Sequence, residues 1–207
     1  MDEVRIRGFE NTNNRTVVLC DEVTSSSVAN VKKEFLDIIC KDYEIYNENV
    51  KQLRTISNEV AEAYINTVEF PPINFEINSI GGTVYDGLGL YDYVKDICDT
   101  GKHKVIVKCG GCVASIATIV MLASPTRIAG KTSSFLIHSI AALEFGKIGD
   151  IVDGVKELNR LTKILHNIYI ENTNFTEEEL IEIDKLKKDY WIDSAEALKK
   201  GLITKIK

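Results

Sequence analysis

Three short stretches carry residue types that can make and break acyl bonds. Ser115 ends the run Cys109-Gly-Gly-Cys-Val-Ala-Ser115, which follows the β-branched stretch 104–108 and precedes a small, apolar segment. A serine there stands beyond the carboxyl end of a strand, where open α/β sheets place their sites. It also stands near the first turn of a buried helix, where free N–H groups and the helix dipole favour a developing negative charge. That is the logic of a nucleophile elbow, although the G-x-S-x-G pattern is not met. A serine near a helix start is more often an ordinary cap. Asn78-Ser-Ile-Gly-Gly-Thr-Val84 follows another strand-like run. Its paired glycines leave backbone N–H groups uncovered, which suits an oxyanion hole or the close approach of a substrate chain; a plain strand-to-helix turn has the same composition. His138 closes Ser134-Phe-Leu-Ile-His138. A free hydroxyl is a poor nucleophile and needs such a base, though a lone histidine at a strand end is also a common packing residue.

The elements that must position these residues read as alternating strands and helices. Strand-like runs occupy 16–20, 73–77, 104–108 and 134–138, with 127–129 as a weaker fifth. Between them, 28–39 and 88–97 carry apolar residues at helical spacing. Such alternation implies crossover connections and a largely parallel, buried sheet of the α/β class. Two segments stand apart. Residues 44–70 are polar, yet Val50, Leu53, Ile56, Val60 and Tyr64 recur at helical spacing. Residues 148–169 place Ile148, Ile151, Val155, Leu158, Thr162, Leu165 and Tyr169 at steps of three and four, a heptad-like seam. Such a helix lies on its own domain or packs on a copy of itself, and a seam holding for three heptads favours the copy.

The 207 residues suit one domain, or two small ones. Hydrophobic residues at 44% and charged residues at 27% are ordinary globular values. A net charge of −6 argues against a nucleic-acid partner, which needs a basic face. The longest apolar run, 113–123, falls short of the roughly 20 residues that cross a bilayer, and the first residues carry charge where a signal peptide would be apolar. No membrane partner is expected, and five cysteines at irregular spacing point to reduced thiols in a cytoplasmic protein. Cys109-Gly-Gly-Cys112 has redox-dithiol spacing, but two small residues at a turn look the same. A metal held by these cysteines with Cys98 or His103 lacks a second paired motif.

Taken together, these stretches carry a family resemblance. Asn78-Ser-Ile-Gly-Gly-Thr-Val-Tyr-Asp-Gly-Leu-Gly-Leu-Tyr-Asp92 resembles the pattern I-N-S-P-G-G-x-V-x-x-G-x-x-I-Y-D of the Clp protease proteolytic subunit, ClpP. Gly111-Cys-Val-Ala-Ser115 resembles its G-x-A-A-S nucleophile motif, and Leu136-Ile-His138 its M-I-H motif. Asn14-Arg-Thr-Val-Val-Leu-Cys-Asp-Glu-Val23 is similar to the family's first strand. Trp191-Ile-Asp-Ser-Ala-Glu-Ala-Leu-Lys-Lys-Gly-Leu-Ile203 resembles its closing F-L-S-A-x-E-A-x-x-Y-G-L-V/I. The motifs run in family order from about Arg15 to Ile206.

The resemblance implies a ClpP/crotonase-like fold of repeated β-β-α units, with a single protease domain over 1–207, an insertion at 44–70 and a handle helix region at 141–170. It implies a serine endopeptidase without a cofactor, acting on peptide or unfolded protein. Ser115 would be the nucleophile, His138 the general base, and the N–H groups of Gly82 and Ile116 the oxyanion hole. The family's acid precedes the closing motif. Here that stretch reads Leu180-Ile-Glu-Ile-Asp-Lys-Leu-Lys-Lys-Asp-Tyr-Trp191, offset by a residue or two, so Asp184 is the first choice and Asp189 the second. Handle helices join the family's heptameric rings, so a heptamer or double heptamer is expected. The segment before the first strand is shorter than usual in the family, where it helps to dock an AAA+ unfoldase. Ile80 replaces a proline, and Ile116-Ala117 replaces Met-Gly. Related alternatives are crotonase-type chemistry on acyl thioesters, a Ser-Lys dyad peptidase, a virus-type maturation protease and an inactive ring subunit.

Overall fold

A computed structural model describes residues 6–9, 15–100, 102–141, 145–186 and 189–207. Asn14 of the first motif, residues 142–144 of the handle region and residues 187–188 of the acid stretch lie outside them. In chain order the elements are β1 (Thr16–Leu19), α1 (Ser25–Arg54), α2 (Asn58–Thr67), β2 (Ile73–Ser79), α3 (Val84–Asp99), β3 (Val105–Ala114) and α4 (Ile116–Met121). There follow β4 (Thr126–Ala129), β5 (Ser134–Ile137), α5 (Ile148–Asn172), α6 (Glu177–Leu186), β6 (Tyr190–Asp193), α7 (Ser194–Lys199) and β7 (Lys205–Ile206). The parallel path of the sheet runs β1-β2-β3-β4-β7; β5 joins the end of β3, and β6 pairs antiparallel with β5.

Alternate residues of the strands build the core. Ile73, Phe75 and Ile77 of β2 and Val105, Val107 and Cys109 of β3 are buried, and α1 lays Val28, Val31, Phe35 and Ile38 over them. Phe35 meets Phe75 edge-on at 5.3 Å. Thr24 starts α1 by accepting from the Ser27 N–H at 3.2 Å, and the Ser27 hydroxyl accepts from the Thr24 N–H in return.

The helix expected over 28–39 does not stop there, because nothing between Cys40 and Glu44 breaks it. It continues to Arg54, and Ser57 caps α2. The even spacing read through 44–70 is interrupted at Thr55-Ile56-Ser57: Ile56 and Val60 are exposed, and Ala61 takes the buried place. A buried ion cluster ties this extension to the sheet. Asp42 accepts from both terminal nitrogens of Arg15, at 2.7 and 2.8 Å, and lies 2.9 Å from His103 Nε2. Phe70 stacks on His103 at 4.5 Å.

The larger departure concerns the glycines of β3. The strand-like run read over 104–108 does not stop before Gly110-Gly111; the strand continues through them to Ala114. Gly111 adopts φ +59°, and the Asn78 side-chain oxygen accepts the Cys112 N–H at 3.0 Å. The register to β2 jumps from Ile77↔Cys109 to Ser79↔Val113. The pair is therefore a bulge, which re-aims the strand end.

This bulge exposes the β-β-α repeat. Each of the first four sheet strands is followed by a short second segment and then a helix. The second segments adjoin one another through Val23↔Gly82, Ser79↔Val113 and Ala114↔Leu136. Their ends converge, and there the sequence places its glycine pair, its serine and its histidine. No helix among the described residues is long and apolar enough to cross a membrane.

Candidate active site

Ser115 sits between the second segment of β3 and α4, at φ 55° and ψ −134°, and is the one non-glycine with positive φ among the described residues. Such a conformation costs of order 1–3 kcal/mol and persists only where its surroundings dictate it. Here they do. The Ser115 N–H donates to the Leu136 carbonyl at 2.8 Å, and its own carbonyl accepts from the Thr118 N–H at 2.9 Å and the Thr118 hydroxyl at 2.6 Å. Tyr169 of α5 reaches Thr118 Oγ1 at 2.5 Å. The Thr118 proton is already engaged, so the phenol is the donor, and burial pushes its pKa up. The side chain of Ser115 makes no cap bond to α4. The cap alternative therefore fails, and a strand-to-helix elbow stands in its place. With only six residues, α4 contributes its free N–H groups more than a macrodipole.

The glycine pair packs against this elbow. Gly81 lies at φ +93°, and a Cβ there would come within 2.6 Å of Ser115 Cβ and 2.7 Å of the Ala114 carbonyl. Gly82, at φ +152°, lies against Val23; Val23 donates to the Gly81 carbonyl at 2.7 Å and accepts from the Thr83 N–H at 2.8 Å. These bonds pass over the Gly82 N–H. It and the Ile116 N–H are left without a backbone acceptor among the described residues, beside the serine.

His138 follows β5. Because β5 is parallel to β3 in the register Ala114↔Leu136, the histidine leaves the same end of the sheet as Ser115. Its Nδ1 is 2.7 Å from the Ser139 carbonyl. A carbonyl only accepts, so Nδ1 carries the proton, and a neutral ring then has its lone pair on Nε2, the tautomer a general base requires.

Gly82, Ser115, Ile116, His138 and Asp184 line one cavity of about 140 Å³, walled by apolar residues that include Ile119, Leu165 and Ile183. Asp184 is thus brought to the serine and histidine by α6. Asp189 is exposed just before β6 and does not line the cavity. The carboxylate of Asp184 is engaged elsewhere: its Oδ2 lies 3.0 Å from His166 Nε2, on α5. No hydrogen bond joins Ser115 Oγ to His138, or His138 to Asp184, in this arrangement. Catalytic hydrogen bonds often close only around substrate. His166 and the Ser139 carbonyl escaped the sequence reading. The one signal for His166 was its place beside Leu165 of the seam, in a chain with three histidines.

The rival chemistries lose their footing here. Burial pushes the Cys109 thiol up to about 12, and it raises that of Cys112 as well, whereas a redox dithiol needs a lowered one. His103, offered above as a metal ligand, is committed to Asp42. No lysine lines the cavity among the described residues, so a Ser-Lys dyad has no base.

A family model described as Clp protease matches residues 41–207. An ATP-dependent Clp protease proteolytic subunit from Deinococcus radiodurans is 32% identical over 136 residues, covering 65% of this chain and 64% of its own. Another of the same name from Porphyromonas gingivalis is 34% identical over 137 residues, covering 65% and 59%. The matched part thus spans about six tenths of these relatives. A solved structure, a point mutant of ClpP1 from Listeria monocytogenes, aligns with a TM-score of 0.68 at 25% identity, covering 95% of this chain and 92% of that one.

Proposed function

The chain belongs to the Clp protease family, and from that membership and the geometry around Ser115 we propose that it is a serine-type endopeptidase. The observation that carries this reading is the elbow: a strained serine with a free hydroxyl faces a cavity lined also by an imidazole of the right tautomer and two uncommitted N–H groups.

In the proposed reaction His138 Nε2 takes the Ser115 Oγ proton as Oγ attacks the carbonyl carbon of the scissile peptide. The tetrahedral oxyanion is held by the Gly82 and Ile116 N–H groups, fixed dipoles that need no reorganisation at the moment of reaction. His138 then gives its proton to the leaving amine, which departs as the C–N bond breaks and leaves Ser115 acylated. Water, deprotonated by the same histidine, releases the acid product. Asp184 serves as the acid that stabilises the imidazolium, in preference to Asp189, which lies outside the cavity.

The assembly is a homo-oligomeric ring, a heptamer or a pair of them, built partly on α5. The first part of its seam supports this: Ile148, Ile151 and Val155 are exposed, as is the adjacent Val152, whereas Tyr169 at the far end is buried on its own domain beside Leu161 and Ile168. An apolar row of this kind calls for a cover. Peptides or unfolded chains are the substrates, an AAA+ unfoldase is the feeding partner, and the reduced cytosol is the setting for five free thiols.

Incubation with a fluorophosphonate followed by intact-mass analysis tests the reading. One adduct is expected on the wild type, none on Ser115→Ala, and a much slowed one on His138→Ala. A folded wild type without an adduct would refute an activated serine.

A further inference from the structure

Two imidazoles and one carboxylate line the cavity. Asp184 Oδ2 is 3.0 Å from His166 Nε2, with the two side chains 27% and 16% exposed. His138 meanwhile satisfies its Nδ1–H on the Ser139 carbonyl. The titratable groups lining the cavity from every side are His138 beyond β5, His166 and Tyr169 of α5, and Asp184 of α6. The Tyr169 hydroxyl is taken up by Thr118. No lysine or arginine lines the cavity among the described residues, so the carboxylate has only the histidines as cationic partners there.

From this we infer that His166 is a positioning residue that competes with His138 for Asp184 and so decides how strongly the acid acts on the catalytic base. The inference rests on the serine-peptidase reading. A triad acid does two things: it fixes the tautomer of its histidine and stabilises the imidazolium that forms. The Ser139 carbonyl already performs the first task here. The second requires the carboxylate itself, and His166 holds that carboxylate on the α5 side. Any movement of α5 against α6 therefore changes the share of Asp184 that His138 receives. A helix whose other half carries an uncovered apolar row is well placed to pass such a movement on.

Two measurements test this. The first needs no catalysis: ring N–H proton resonances of ¹⁵N-histidine-labelled protein, wild type against Asp184→Asn, at one pH. The hydrogen-bonded N–H signal of His166 is expected to shift or vanish in Asp184→Asn, while that of His138 persists. If the His138 signal is the one lost, the inference is overturned. The second is the rate of fluorophosphonate labelling of Ser115 in a double-mutant cycle. Asp184→Asn is expected to cost less than about tenfold in the wild-type background, because the carbonyl keeps the tautomer. In His166→Leu, where the acid is released to His138, the same change is expected to cost more than about a hundredfold, approaching the effect of a lost triad acid. His166→Gln keeps a side-chain N–H for Asp184 and should restore the small cost. An equal cost of Asp184→Asn in both backgrounds, or a glutamine variant that behaves like leucine, overturns the inference and leaves the peptidase reading standing. Absence of labelling in every folded variant overturns both, since His166 would then have no catalytic base to compete with.

Discussion

Replacing Gly81 with alanine tests the elbow where its tolerance is smallest. The new Cβ would stand 2.6 Å from Ser115 Cβ and 2.7 Å from the Ala114 carbonyl, whereas ordinary contact begins at 3.4 Å. The deficit, 3.4 Å less 2.6 Å, is about 0.8 Å. Neither neighbour is the free end of a flexible side chain. One is the Cβ of a residue already held at positive φ, and the other is main chain of β3. The adjustment must therefore move Ser115, the neighbouring Gly82 N–H, or both. Misplacement of a reacting group by about 1 Å costs about a hundredfold in rate, so fluorophosphonate labelling of Ser115 should slow by about 30- to 100-fold. Stability falls too: a left-handed φ costs an L-residue about 1–2 kcal/mol, and overpacking adds about 1–3 kcal/mol. Gly89→Ala is the control. It lies in α3 with open space around its Cβ position, so it should raise stability by about 0.5–1 kcal/mol and leave labelling unchanged. Urea unfolding and labelling, measured on the same samples, separate the two effects. A Gly81→Ala protein labelled within threefold of the wild-type rate would refute the packing of the glycine loop on the serine.

The buried cluster under α1 gives a second expectation: Asp42→Asn should lower stability at pH 7 by about 3–5 kcal/mol, because it leaves a buried arginine without its carboxylate. Burial alone would raise the Asp42 pKa, but hydrogen bonds from His103 and Arg15 outweigh it and hold it below the ordinary 3.8; the carboxylate's contribution is therefore complete above that value and lost as pH falls through the lower folded one, so urea midpoints of wild type and variant should converge below about pH 4. Alkylation by iodoacetamide at pH 8 should modify the exposed Cys20 and Cys40 and spare Cys109, whose thiol burial pushes up to about 12, as peptide mass mapping would show. Val155→Lys, in the exposed row of α5, should lower the assembled mass seen by light scattering without changing the unfolding free energy of the separated chains by more than about 0.5 kcal/mol.

The sheet strands were the most legible part of the molecule, because their signal is local. Runs 16–20, 73–77, 104–108, 127–129 and 134–138 each fall within a residue or two of β1 to β5, apart from the longer ends of β2 and β3. Their alternation with helices pointed to the parallel sheet that forms. What escaped was set by distant contacts. β6 and β7 are short edge strands whose pairing depends on β5 and β4; Tyr190-Trp191-Ile192 has strand composition but is too short to stand out, and Lys205–Ile206 is shorter still. The passage of β3 through Gly110-Gly111 is met by the Asn78 side chain reaching across from β2 and by the pairing of Cys112–Ala114 with β5. A glycine pair reads as a turn until those partners are known.

The site divides along the same line. Gly82, Ser115 and His138 each follow a second strand segment, and parallel register carries those segments to one edge, so motif order along the chain was enough to bring the three together. The acid depends on no strand. It comes from α6, which touches α5 across the cavity, and the offset of the 180–191 stretch left Asp184 and Asp189 unresolved by pattern alone. Exposure separates them, because Asp189 faces solvent while Asp184 lines the cavity wall. The same helix pairing that places Asp184 also brings His166 to it, and no pattern of strands could have shown that. In this fold the places of the proposed nucleophile, base and oxyanion donors are consequences of register. The place of the proposed acid is a consequence of helix packing, and it is therefore the member of the site that a displacement of α5 can reach without disturbing the sheet.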